Sequence, residues 1–315
     1  MIHFAKRHSF GCTVFALSEH FFNIMKYKHN LTPLLLLLPF LVLTALILAS
    51  ALIVLVQSLG YIPAFDLHDF SLKYYISVLS DPDLLASLGV SLRTAFWSTV
   101  LSVILGTAIA AALVYTNKTR GGLLSVVRLP ILVPHMVVAM FMVTLFSQTG
   151  LLARGAAALG LISDHTQFPQ LLHTESYWGV IAAYLWKEAP FVAYYVLALM
   201  ANVSHSLGEA AENLGASPLR SFFQITLPLT MPSICNAALI IFIFAFGGYE
   251  LPFLLGSTLP RALPVQAYID FTSPDLRFRP YAMAANGVIL LFTVVMAVLF
   301  WVCTRRLLKK LEGRS

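Results

Sequence analysis

Residues 209–228 read EAAENLGASPLRSFFQITLP, a polar stretch that separates two apolar runs, Tyr177–Met200 and Ser233–Leu255. Each run is long enough to cross a hydrocarbon core as a helix, which takes about 20 residues. A polar stretch of this length between two such runs belongs at a membrane surface. The segment therefore predicts a fold of membrane-spanning helices, two of which are joined by a hydrophilic hairpin.

The composition of the whole chain points the same way. Of its 315 residues, 59% are hydrophobic and 11% are charged, against about 25% charged in an average soluble domain. The net charge of +6 does not indicate a nucleic-acid partner, because the basic residues flank apolar runs instead of forming one patch. The three cysteines, Cys12, Cys235 and Cys303, have no metal-ligand spacing.

Six apolar runs approach or reach the length of a membrane span. No recurring strand-like alternation accompanies them, so helices are the expected way to satisfy the backbone in lipid. The third run is the weakest, because it is short and contains Pro130 and Pro134. The predicted fold class is an all-α membrane protein with six transmembrane helices, at Leu34–Val56, Thr94–Tyr115, Leu129–Phe146, Tyr177–Met200, Ser233–Leu255 and Tyr281–Cys303.

The distribution of basic residues predicts the orientation, since loops rich in Lys and Arg stay in the cytoplasm. With six spans both termini share one side, which is expected to be cytoplasmic along with the hairpin. The opposite side carries only Lys73, Arg154, Arg261, Arg277 and Arg279. The cytoplasmic side carries Lys6, Arg7, Lys26, Lys28, Lys118, Arg120, Arg220, Arg305, Arg306, Lys309, Lys310 and Arg314.

The segments outside the spans give three further expectations. Residues 1–33 form a cytoplasmic N-terminal segment without the features of a cleavable signal. Two interpretations of this segment stay open: translation starts at Met25, or the phenylalanines of residues 10–22 form an interfacial helix. Residues 34–303 form the six-helix domain, and residues 304–315 form a basic cytoplasmic tail.

The hairpin can be predicted in more detail from its local chemistry. Ser206 and Glu209 have the spacing of a capping box, which predicts a new helix start. Gly215 is expected to end this first helix. Ser217 and Pro218 are typical of an N-cap and a first helical residue. The second helix is then expected to stop before residues 227–228.

The same stretch resembles the EAA loop of ATP-binding cassette (ABC) importer permeases, the inner-membrane components of binding-protein-dependent transport systems. That family's pattern is Glu-Ala-Ala, three residues, Gly, nine residues, then Ile-x-Leu-Pro. Shorter similarities extend from about Tyr74 to Cys303. The family motif falls without insertion on Glu209, Ala210, Ala211, Gly215, Ile225, Leu227 and Pro228.

The resemblance implies a type I (MetI-like) importer permease in a bacterial plasma membrane. Its implied partners are membrane lipid, separate ABC ATPase subunits, a second permease (identical or homologous), and a periplasmic or lipid-anchored solute-binding protein. Residues 202–230 would be the coupling loop that the ATPase grips. The nearest branch transports polyamines, phosphonates or iron(III), and sugar permeases are the alternative within the family.

The chain lacks the residues that an enzyme of this size would need. It has no Gly-x-x-x-x-Gly-Lys-Ser/Thr phosphate loop, so ATP hydrolysis is expected from a separate polypeptide. No catalytic set, metal site or cofactor is predicted. An ATP-independent secondary transporter is a less favoured alternative, because no paired inverted halves are evident.

Charged residues inside the apolar runs are candidates for the translocation path, since they are costly to bury in lipid. Glu250 follows two glycines, and with Tyr249 and Asn286 it forms the predicted path set. An ion pair between Glu250 and another helix, or solvation at the surface, is the alternative. Lys187 and Glu188 are expected to point apart, and His135 is expected to be a packing histidine.

Overall fold

The computed structural model describes residues 32–312. Among these residues the regular structure is helical, and the only extended pairing is an isolated bridge between Ile62 and Leu67. Short 3-10 turns occupy Pro63–Phe65, His165–Gln167 and Leu276–Phe278. The helices are α1 (Thr32–Ser58), α2 (Lys73–Ser80), α3 (Pro82–Tyr115), α4 (Gly122–Leu132), α5 (His135–Phe146), α6 (Leu151–Ala158), α7 (Trp178–Val203), α8 (Glu209–Asn213), α9 (Pro218–Ser221), α10 (Leu227–Gly247), α11 (Glu250–Leu255), α12 (Leu263–Thr272) and α13 (Arg279–Glu312).

The chain divides into two compact units, Met1–Ile53 and Val54–Ser315. In the first unit, the described part of α1 is an apolar helix whose large side chains, such as Leu36 and Ile47, are exposed. The second unit contains the remaining helices. The two interpretations of residues 1–33 fall almost entirely outside the described residues. Helix α13 continues past Cys303 to Glu312, so most of the predicted tail is helical.

Within residues 32–312, six helical segments are long and apolar enough to cross a membrane, which confirms the predicted number. Their bounds differ from the prediction at the start of the second span, at the hairpin, whose arms extend the fourth span to Asn213 and start the fifth at Pro218, and at two helix breaks. The second span starts at Pro82, because the Asp81 side chain accepts a hydrogen bond from the amide of Asp83 and caps the helix there. The spans are Leu35–Ser58, Pro82–Tyr115, His135–Ala158, Trp178–Asn213, Pro218–Gly247 and Leu276–Arg306.

The other two differences are helix breaks. The predicted third span is divided at Val133 and Pro134, since Val133 adopts an extended conformation and Pro134 precedes a new helix. The predicted fifth span ends at Gly247. Gly248 is extended there (ψ 133°) and α11 starts two residues later. These two breaks place non-helical backbone inside the bundle.

The core of the second unit combines small residues with large side chains such as Tyr177, Tyr184 and Phe246, and many other large apolar side chains face outward, as expected in lipid. The most extensive helix contact joins α3 to α7. Gly106 of α3 is buried there, against Ala189 and Val192 of α7. One face of α3 carries buried hydroxyl groups that lack a hydrogen-bond partner in the described structure, at Thr94, Ser98, Thr99 and Ser102.

Candidate functional site

The first arm of the hairpin is an extension of α7. A π-helical segment, Ser204–Gly208, joins α7 to α8 without an interruption of the helical backbone. The predicted capping box is therefore wrong: the Ser206 hydroxyl donates to the carbonyl of Asn202 at 2.8 Å. Because the amides at this point already bond to the preceding turns, no helix start exists for Ser206 to cap.

Glu209 instead pairs with a residue one turn earlier. Its Oε1 lies 2.7 Å from Nδ1 of His205, and both side chains are more than half exposed. The carboxylate thus remains accessible on the surface of the hairpin. An exposed pair of this kind contributes little to stability, so Glu209 is free to contact another molecule.

Gly215 ends α8, as predicted. Its φ of +95° lies in the left-handed region that favours glycine. The amide of Gly215 donates to the carbonyl of Glu212 at 2.9 Å, and the amide of Ala216 donates to that of Ala211 at 3.0 Å. This pair of bonds is the Schellman motif. A Cβ at Gly215 would meet nothing within 4 Å, so backbone conformation alone requires glycine here in the isolated chain.

The second arm starts as predicted and ends differently. The Ser217 hydroxyl accepts a bond from the amide of Arg220 at 3.4 Å, and Pro218 is the first residue of α9. The arm does not stop before residue 227. It passes through a second π-helical segment, Phe222–Thr226, directly into α10. Pro228, which has no amide hydrogen, lies directly after the π-helical segment, where the backbone hydrogen bonds already depart from the α-helical pattern.

Polar contacts at the base hold the two arms together. The Ser221 hydroxyl donates to the carbonyl of the buried Gly208 at 3.2 Å. A Cβ at Gly208 would also lie 3.2 Å from that hydroxyl, so the close approach favours glycine. The Tyr115 hydroxyl, at the end of α3, donates to the carbonyl of Pro218 at 3.0 Å. No sequence pattern predicts these contacts, because Gly208 and Ser221 stand out only by their small size and Tyr115 only as the end of an apolar run.

The rest of the hairpin is exposed and apolar. Leu214 at the tip is 90% exposed and Leu219 is 72% exposed. Of the motif residues, Glu209, Ala210 and Gly215 are exposed. The half-buried motif residues are Ala211, Ile225, Leu227 and Pro228. The structure thus places the Glu-Ala-Ala-Gly part at the tip and the Ile-x-Leu-Pro part at the root in α10.

A second group of polar side chains lies between the helix breaks; we call His135, Glu188 and Glu250 the intramembrane triad. Glu250 is the first residue of α11, His135 is the first residue of α5, and Glu188 lies on α7. His135 Nδ1 is 3.8 Å from Glu250 Oε2, and His135 Nε2 is 3.8 Å from Glu188 Oε1. His135 is not a satisfied packing residue as predicted, because its buried Nε2 has no hydrogen-bond partner in the described structure.

Lys187 and Glu188 point apart, as predicted. The ammonium of Lys187 donates to the backbone carbonyl of Val133 and lies 3.4 Å from that of Ile131. These carbonyls are left free by the break at Pro134, which removes an amide donor. Lys187 therefore satisfies exposed backbone at the break, and no carboxylate of the described residues lies within 4.0 Å of it.

The other two predicted path residues are placed away from the triad's contacts. Tyr249 stacks on Phe253 with ring centroids 5.0 Å apart and lies 4.6 Å from the ring of Tyr268. The side-chain amide of Asn286 donates to Ala282 of its own helix at 3.0 Å, so it does not join two helices here. Among the described residues no group of three His, Cys, Asp or Glu side chains has the geometry of a metal site.

Comparison with known proteins identifies relatives of this chain among transport system permeases. The chain is 29% identical over 252 residues to the molybdate/tungstate transport system permease protein WtpB of Pyrococcus abyssi, covering 79% of this chain and 91% of the relative. It is 25% identical over 234 residues to the putrescine transport system permease protein PotI of Escherichia coli, covering 74% and 76% of the two chains.

Solved structures have the same fold. A chain of a bacterial ABC transporter involved in the import of the acidic polysaccharide alginate superimposes with a TM-score of 0.69, at 20% identity, over 90% of this chain and 98% of that one. The same kind of transporter in complex with its alginate pentasaccharide-bound periplasmic protein gives 0.74 over 90% and 96%. The sequence model of the protein family described as binding-protein-dependent transport system inner membrane component matches residues 98–314 of this chain. The chain belongs to this family of ABC importer permeases.

Proposed function

We propose that this importer permease forms part of the solute translocation path and couples to a separate ATPase through residues 206–228. The exposed hairpin is the observation that carries this proposal. Its tip presents Glu209, Ala210 and Gly215 together with the apolar Leu214, and burial of Leu214 against a partner would be favourable. An exposed apolar projection of this kind is typical of a docking surface.

The connection of the hairpin to the bundle supports a mechanical role. Its two arms continue without a break into α7 and α10. Helix α7 carries Glu188, and α10 leads to the break before Glu250. A movement of the hairpin caused by ATP binding would therefore reach both carboxylates, and would shift the bundle between inward-facing and outward-facing states.

The remaining partners follow from the family and the predicted orientation. We propose a second permease, identical or homologous, and two ATPases on the cytoplasmic side that carries both termini. A periplasmic or lipid-anchored binding protein would dock on the opposite side. The solved relative in complex with a periplasmic protein supports this arrangement.

The proposed solute is small and polar, of the polyamine, phosphonate or iron(III) kind. PotI of Escherichia coli, a relative named for putrescine, supports the polyamine choice. WtpB, named for molybdate and tungstate, favours an oxyanion instead. A sugar is the third candidate solute. Among the alternative mechanisms, an ATP-independent secondary transporter has the least support from the relatives' names.

Two substitutions test the coupling role. We expect Gly215→Val and Glu209→Lys to abolish uptake and the ATP hydrolysis that the liganded binding protein stimulates, while both variants still insert in the membrane. Valine is strained at a φ of +95° and adds bulk to the tip. Lysine reverses the charge offered to the ATPase. Copurification with the ATPase and ATP hydrolysis in proteoliposomes are the measurements.

Matched controls separate coupling from folding. Gly160 also has a positive φ (+70°) and open space around its Cα, so Gly160→Val carries similar strain far from the hairpin and should retain transport. Asp69→Lys reverses an exposed charge in the loop before α2. If the hairpin variants transport as well as these controls do, the coupling assignment is wrong.

A further inference from the structure

The coupling role of the hairpin does not explain why His135, Glu188 and Glu250 meet in the intramembrane triad. We propose that Glu188 and Glu250, with His135 between them, bind a positively charged group of the solute during translocation. This inference rests on the proposed function and deepens it, because it selects a cationic solute over an oxyanion or a neutral sugar.

The depth of the triad is the first argument. Glu188 lies ten residues after the start of α7, which corresponds to about 15 Å along a helix. That distance is about half of a hydrocarbon core of about 30 Å. His135 lies next to Glu188 through Nε2 and next to Glu250 through Nδ1, each at 3.8 Å, so the triad lies near this depth. Carboxylates at this depth are expensive and mark solute or ion paths.

The exposure of Glu250 is the second argument. Its side chain is 52% exposed, and the exposed Phe244 and Ile240 precede it on the adjoining turns of α10. A carboxylate cannot face lipid at this depth without a large cost, so water or protein must cover this face. A water-accessible path next to α10 meets this requirement.

The hydrogen bonding of the triad is the third argument. The Glu188 side chain is largely buried, with 11% of its area exposed, and within the described structure its carboxylate accepts no hydrogen bond. Its separation from His135, 3.8 Å, is longer than a hydrogen bond. A buried carboxylate that lacks a donor is costly. An ammonium carries three donors and can supply the hydrogen bond that the Glu188 carboxylate lacks, at an ordinary distance.

The local charge decides which solute fits. The surroundings contain two carboxylates and one ammonium, that of Lys187. The Lys187 ammonium is held by the backbone carbonyls of Ile131 and Val133. Glu188, Glu250 and Lys187 together carry one net negative charge when all three are ionised. A cationic group would neutralise this charge, whereas an oxyanion would meet two carboxylates.

The test uses the complete importer complex in nanodiscs, without its binding protein, and radiolabelled putrescine as the probe. We expect saturable putrescine binding that weakens at least tenfold in Glu250→Gln and Glu188→Gln. Asp66→Asn is the control, because Asp66 is an exposed carboxylate with a φ of 59° that asparagine also adopts. Uncharged 1,4-butanediol and molybdate should not compete.

Four results would overturn the proposal: no saturable putrescine binding, equal binding by the glutamine variants, competition by molybdate, or loss of the second permease from the complex in Glu250→Gln. The last result would show that Glu250 forms an ion pair between subunits. The liganded binding protein is then added to the same nanodiscs, and the ATP hydrolysis that it stimulates is measured. If it is normal while putrescine fails to bind, only the cation site is wrong and the coupling role stands.

Discussion

Single residues in this chain are constrained by backbone geometry as much as by contacts. Gly215 has open space around it but a φ of +95°, whereas Gly208 has an ordinary helical backbone and a close neighbour in Ser221. The first can be recognised from sequence, since a glycine after a short helical stretch is a common terminator. The second cannot, because the residue that approaches it lies on the other arm.

Asp270 provides a prediction at this scale. Burial raises the pKa of this carboxyl group above its ordinary value, and the nearby Asp81 adds to the effect, against opposing contributions from Gln266 and Arg261. A carboxyl whose folded-state pKa is raised destabilises the fold when ionised. This penalty is absent below the unfolded-state pKa of about 3.9, and it grows as the pH rises through the folded-state pKa.

We therefore expect Asp270→Asn to raise the apparent unfolding temperature at pH 7, with a gain that shrinks as the pH is lowered toward 4. Asparagine keeps the oxygen that accepts the bond from the Gln266 amide at 2.9 Å. Thermal unfolding of the detergent-solubilised protein across this pH range is the measurement, with the exposed Asp69→Asn as control. A gain that is the same at pH 4 and pH 7 would contradict the prediction.

At the scale of elements, α3 packs closely on α7 through small residues. Helix α3 buries serines, threonines and Gly106, and Gly106 lies against Ala189 and Val192 of α7. Association in lipid has no hydrophobic driving force, so close packing replaces it. This explains why α3 and α7 form the most extensive contact although α3 buries few large side chains.

Two glycines of α3 test this packing. A Cβ at Gly106 would lie 2.6 Å from Cβ of Val192, whereas a Cβ at Gly89 would meet nothing within 4 Å. We expect Gly106→Ala to lower the apparent unfolding temperature, since overpacking costs about 1–3 kcal/mol. Gly89→Ala should leave it unchanged or raise it, because alanine favours a helix by about 1 kcal/mol. Thermal unfolding in detergent compares the two, and equal effects would rule out the close α3–α7 contact.

At the scale of the whole molecule, the hairpin and the intramembrane triad are linked by α7 and α10. The hairpin continues directly into both helices, and the triad takes Glu188 from α7 and Glu250 from the segment after α10. Coupling between the two sites therefore needs no additional element. The direction of that coupling depends on which side of the membrane the hairpin occupies.

Orientation is the last prediction. In a background with Cys12, Cys235 and Cys303 changed to serine, we introduce Ala216→Cys in the hairpin or Ser163→Cys in the loop after α6. A membrane-impermeant maleimide added to intact spheroplasts should label position 163 and spare position 216, because the distribution of basic residues predicts that the hairpin side is cytoplasmic. Lysis should expose position 216. Labelling of position 216 from outside would reverse the orientation.

The sequence by itself determined the number of spans, the hairpin and its family, because these depend on local properties. Hydrophobic length fixes a span, and the Glu-Ala-Ala motif with Gly215 fixes the tip through local backbone preference. The terminating role of Gly215 and the N-cap role of Ser217 needed no tertiary information.

Only the tertiary structure decided the continuity of the hairpin with α7 and α10, the Ser221–Gly208 contact and the intramembrane triad. The apparent capping box of Ser206 is overridden because α7 continues through it. His135, Glu188 and Glu250 come from three helices separated by 53 and 62 residues along the chain. Their meeting depends on breaks at Pro134 and Gly248 and on helix packing, which no local pattern encodes.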